Sequence, residues 1–152
     1  MTPPVPAVLA LLAERIRDDV LPVMGDSYGG QQMQRSLMLL QAVSEEFDRA
    51  AARRVEEITA LQTLFEQAAA VVEAPELARA LRDATDARAD FTPATLSISA
   101  LDQQLQALRA LLITLQIWTE RCDTPQAQAL GQAIWRELRR GTERRQLSGA
   151  RF

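Results

Sequence analysis

Residues 30–73, GQQMQRSLMLLQAVSEEFDRAAARRVEEITALQTLFEQAAAVVE, contain no proline and no glycine after Gly30. As one helix, these 44 residues span about 66 Å at 1.5 Å per residue. Leu37, Leu40, Ser44, Phe47, Ala51, Arg54, Ile58, Leu61, Phe65, Ala68 and Val72 alternate three and four apart. That is heptad spacing, with polar insertions at Ser44 and Arg54. Ordinary helix lengths also allow two helices broken near Asp48 to Arg54. Nothing in the stretch stops a helix, so one long helix is expected.

Punctuation on either side predicts the other helices. A first runs from about Val5 to Leu21, with Pro6 in its first turn and Pro22 just past its end. Val8, Leu12, Ile16 and Val20 share one face of it. Gly25 to Gly30 reads as an interhelix loop, with Tyr28 folded over the bundle end. Pro75 opens a short third helix to about Ala87, with Leu77 and Leu81 inward. Asp90 to Ser97 is a loop, and Ser99 with Asp102 resembles a capping box. The fourth helix carries the seam Ile98, Leu101, Leu105, Leu108, Leu112, Leu115 and Cys122, interrupted at Thr119 and widened by Leu111 and Trp118. Thr124-Pro125 starts a fifth helix to about Arg140, with Ala127, Leu130, Ile134 and Leu138 on its face. Gly141 is expected to end it, leaving 1–141 as a single helical domain and 142–152 as a C-terminal tail. The expected fold is an all-α helical bundle of about five helices, with one long central helix and a heptad-patterned fourth helix.

Composition excludes much chemistry. All 17 basic residues are arginine, and lysine, histidine and asparagine are absent. Without them there is no lysine Schiff base, no Ser-His-Asp triad, no histidine-ligated metal and no P-loop. A di-iron bundle is excluded too, because it needs Glu-x-x-His on two helices. No cofactor is expected. The net charge of −3 is unevenly spread: residues 136–152 hold six Arg against two Glu. The single cysteine, Cys122, permits no internal disulfide, which fits a reducing compartment. The apolar run Val5 to Leu12 is far short of the roughly 20 residues of a membrane span. A cytoplasmic protein without a membrane partner is expected.

Several segments together resemble an uncharacterised bacterial helical family found beside aminoglycoside-phosphotransferase-like kinases and acyl-CoA dehydrogenases. They are Val20-Leu21-Pro22 with Asp26 and Tyr28, Glu45-Glu46-Phe47-Asp48-Arg49, Arg54-Val55-Glu56-Glu57, Ile98-Ser99-Ala100-Leu101, and Leu108-Arg109-Ala110-Leu111-Leu112-Ile113. The resemblance covers roughly residues 8 to 120 and departs from the family at Gln103-Gln104, where Glu-Asn is the pattern. It implies a helical fold and a neighbouring kinase-like or acyl-CoA-dehydrogenase-like partner, and it transfers no active site.

Four residues are candidates for contact with a ligand or partner: Tyr28, Glu45, Glu46 and Arg54. The acidic pairs, including Glu45-Glu46 and Glu56-Glu57, fit a solvated face with Glu45 on Arg49 and Arg53 on Glu57. Arg54 falls on the apolar seam, where a buried guanidinium needs a carboxylate or a phosphate-like ligand. Otherwise the core drifts to Val43 and Val55, and the arginine keeps its stem packed and its head in water. Cys122 reads as a small buried hydrophobe. Arg136, Arg139, Arg140, Arg144 and Arg145 complement a helix C-terminus, and nucleic-acid binding is not expected. The sequence therefore suggests a non-catalytic interaction or accessory protein, either a homodimer or part of a hetero-complex. Arg54 and the exposed flank of the fourth helix would matter for assembly. The alternative is a small acidic or phosphorylated ligand held between helices by Tyr28, Glu45, Glu46 and Arg54.

Overall fold

The computed structural model describes residues 3–86, 92 and 95–147. They form helices and turns with no strand among them, so the fold is all-α. The elements are α1 (Val5–Arg15), a π-helical turn (Ile16–Val20), α2 (Leu21–Met24), α3 (Tyr28–Ala69), α4 (Pro75–Asp86), α5 (Ile98–Arg121) and α6 (Pro125–Arg144). The first three are continuous, giving five helical rods as the punctuation suggests. The chain divides into two compact units, Met1–Ala50 with Gln146–Phe152, and Ala51–Arg145.

In the first unit, Pro22 does not end the first rod. A proline inside a helix lacks its N–H and crowds the carbonyl four residues back. The widened turn upstream absorbs this, and the N–H of Leu21 donates to the carbonyl of Ile16, five residues earlier. Gly25, at φ 53° and ψ −150°, then ends the rod. Ser27 caps α3, its Oγ accepting the N–H of Gly30 at 3.1 Å. Gly30 itself approaches the Gly25 carbonyl so closely that a β-carbon there would overlap it. The expected loop is thus a tight turn, and α3 begins at Tyr28 rather than Gly30.

Burial in this unit is sparse. Ala13, Leu37 and Ala50 are covered, whereas Val8, Leu12 and the seam residue Phe47 are exposed. The apolar face expected of the first rod is therefore largely uncovered. Among the described residues this unit holds the first rod, the first half of α3 and residues 146–147, too few neighbours to cover an apolar stripe of 100° or more.

The second unit holds the core. Ile58, Leu61, Leu64, Phe65, Ala68 and Val72 pack with Ala78 and Leu81 of α4, the leucines of α5, and Leu130 and Ile134 of α6. Here the heptad ladder is buried as its spacing predicts. α3 ends at Ala69 in a tight turn, with the N–H groups of Val71 and Val72 both on the Ala68 carbonyl. Pro75 disfavours helical backbone at the residue before it and starts α4. Leu81 is inward as expected, Leu77 is half-buried, and Ala87 and half of the 90–97 loop lie outside the described residues.

Two terminal signals differ from expectation. Ser97, not Ser99, caps α5, accepting the N–H of Ala100 at 3.3 Å. Asp102 is released from capping and turns toward α3. Gly141 does not end α6, which runs on to Arg144. A helical glycine costs only about 1 kcal/mol, and ion pairs at Arg144 and Arg145 hold this last turn. Thr124 caps α6 as predicted, accepting from Ala127 at 3.2 Å. The seam interruption Thr119 is buried with its hydroxyl donating to the Gln116 carbonyl at 2.8 Å.

Candidate functional site

Seam position 54 places the Arg54 side chain in the second unit at 18% exposure. Its Nε donates to Oδ1 of Asp102 at 2.7 Å, and its Nη2 to Oδ2 at 3.3 Å. Two such parallel bonds match the fork of a guanidinium to a carboxylate. The hydrogen bond to Arg54 holds the Asp102 carboxyl below the usual carboxylate range; partial burial opposes this, and the charges of Arg54 and Arg109 add to it. The head of Arg54 is therefore not left in water. Nor does the core drift as a whole, since Val55 packs on it while Val43 stays exposed.

A larger charged cluster lies between α3, α5 and the end of α6. Glu57 is buried, and its Oε1 accepts from Arg109 Nε at 2.9 Å, Arg109 Nη2 at 2.6 Å and Arg145 Nη2 at 3.0 Å. Beside it, Arg144 Nη1 donates to Glu137 Oε1 at 2.6 Å, and its Nε lies 3.9 Å from Glu56. The bond to Glu137 raises the Arg144 guanidinium above its ordinary value, against the opposing effect of burial. The cluster acts as an ionic brace: guanidiniums that stay protonated donate to carboxylates already engaged.

Sequence reasoning places Glu57 at the surface opposite Arg53, and the structure corrects this to Arg109 and Arg145. The available signal was position. Glu57 directly precedes the buried Ile58, and Arg109 directly follows the buried Leu108. Seam-flanking charges of this kind pair between helices. Which arginine meets which glutamate depends on the register of α3 against α5.

The other candidates belong to the first unit and Arg54 to the second. Tyr28 is exposed at the start of α3 rather than folded over a bundle end. It stands roughly 25 Å of helix axis from Glu45. Glu45 accepts from Arg49 at 2.8 Å, as expected of an i,i+4 pair, and Glu46 is half-buried in the same unit. Cys122 is half-buried where α5 ends. Arg136, Arg139 and Arg140 are exposed on α6. Among the described residues, no three His, Cys, Asp or Glu side chains are grouped to hold a metal ion.

The outer flank of α5 is the remaining feature. Ala110, Ile113 and Ile117 repeat the three-four spacing there, and Ile113 and Ile117 are 60% and 43% exposed. Trp135 and Leu138 of α6 are also exposed. No helix among the described residues is long and apolar enough to cross a membrane. Compared with known protein families, curated proteins and solved structures, the chain gives no significant match.

Proposed function

We propose that this chain is a non-catalytic helical interaction protein that docks a protein partner or self-associates through its helical surfaces. The observation that carries this reading is the second apolar line on α5. A helix facing one core needs a single apolar stripe and a polar opposite side. α5 already places Leu101, Leu105, Leu108, Leu112 and Leu115 in the core, yet it presents Ile113 and Ile117 to water. A helical groove on a partner takes such an i,i+4 pair as anchors. The resemblance noted above suggests a kinase-like or acyl-CoA-dehydrogenase-like partner in the cytoplasm. Arg54, engaged by Asp102, would then support the α3–α5 geometry behind this flank.

Native mass spectrometry of the untagged protein from its own host tests the reading, alongside the double variant Ile113→Glu, Ile117→Glu. The expected result is a complex with a second protein that the variant loses while its helical circular dichroism is unchanged. A complex indifferent to the variant, or a bare monomer from both, overturns docking through this flank. Added mass of small-molecule size would instead favour an acidic or phosphorylated ligand between helices.

A further inference from the structure

The first unit exposes an apolar side of its own. On α3, Leu39, Val43 and Phe47 are spaced by four and are 58%, 53% and 54% exposed. On α1, Val8 and Leu12 repeat the same step and are exposed as well. At about 100° per residue, each row lies about 100° from the more covered line of its own helix, in the same rotational sense. Those lines are Leu9 and Ala13 on α1, and Met33, Leu37 and Ser44 on α3. Helices joined by a short turn run antiparallel as neighbours. Equal rotations in antiparallel helices bring both rows to one broad side of the hairpin. That side is the face of a layer that lacks its second layer.

We infer that a second copy of this chain covers this face, the two hairpins stacking into a four-helix core. The inference rests on the interaction reading but assigns a different surface and a defined partner. Area supports it. Val5, Val8, Leu12, Leu39, Val43 and Phe47, the apolar side chains on that side, are 38–58% exposed, leaving roughly 550 Å² per copy, or about 1,100 Å² for a pair before any polar rim is added. A specific interface needs about 1,000 Å² or more in total. The α3 row is also self-complementary: it is symmetric about Val43, with Leu39 four residues before and Phe47 four after. A twofold interface, which places one patch against its own copy, uses such symmetry directly.

Sedimentation velocity of the full chain over a range of concentrations tests this, with Val43→Glu, the milder Leu39→Ser, and Ile113→Glu as the comparison. Far-UV circular dichroism monitors folding of each variant. The wild-type chain and Ile113→Glu should be dimers. Val43→Glu should raise the dimer dissociation constant by more than about tenfold, and Leu39→Ser should raise it less. A wild-type monomer at every concentration, or dimers unaffected by both hairpin variants, overturns the inference. A dimer broken by Ile113→Glu but not by Val43→Glu also overturns it, while leaving the interaction reading through α5 intact.

Discussion

Arg54 on α3 and Asp102 on α5, 48 positions apart in sequence, meet as a two-pronged ion pair with Nε 2.7 Å from Oδ1. The two ends are unequally sheltered: the arginine side chain is 18% exposed and the aspartate 44%. Asp102→Ala should therefore cost more than Arg54→Met. The first removes the carboxylate from a largely buried guanidinium, at about 1–2 kcal/mol. The second keeps an apolar stem and leaves a carboxylate that water already reaches, at less than about 1 kcal/mol. Urea unfolding of both variants checks the order.

The same pair makes stability depend on acid. Asp102 titrates lower in the folded chain than its unfolded value of about 3.9, so between the two values the native state binds fewer protons. Its contribution is complete above the unfolded value and is lost as pH falls through the folded one. The urea midpoint of the wild type should drop from about pH 5 to about pH 3, and its lead over Asp102→Asn should shrink in that window. The raised value of Arg144 acts only in strong alkali, so it leaves this range untouched.

Neighbouring glutamates on α3 should behave differently. Glu57 is buried beneath two arginines, whereas Glu56 is exposed and only 3.9 Å from Arg144. Glu57→Gln should cost about 1–2 kcal/mol, moderated because Arg109 and Arg145 can rehydrate. Glu56→Gln should stay within about 0.5 kcal/mol. Equal urea midpoints for the two variants would show that the brace carries no stability.

The turn between α2 and α3 offers a local test. A β-carbon at position 30 would meet the Gly25 carbonyl, and backbone cannot yield as a flexible side chain does. Gly30→Ala should loosen the turn and accelerate amide exchange at its start, including the capped N–H of residue 30, by about tenfold or more. Amides around Ile58 and Phe65, in the other unit, should keep their protection.

Much of the helical plan is local chemistry, so it was legible in the chain itself. Pro75, Thr124 and Pro125 start helices because a proline suits the first turn and a hydroxyl can cap it. The ladder from Ile58 to Val72 is buried because its spacing already matches one helical face. Where local rules compete, neighbours decide. Pro22 was absorbed by a π turn instead of ending a helix, Ser97 displaced Ser99 as a cap, and Gly141 was carried through by ion pairs beyond it.

The sequence by itself determined the all-α class, the long helix α3 and the absence of histidine and lysine chemistry. Those follow from residue type and from spacing within one helix. Only the tertiary structure decided that Arg54 meets Asp102, that Glu57 gathers Arg109 and Arg145, and that Phe47 stays in water on the same ladder that buries Phe65. These depend on the register and number of packed neighbours: α3 has three helical partners in the core of the second unit, while its first half belongs to a smaller unit that buries few apolar side chains.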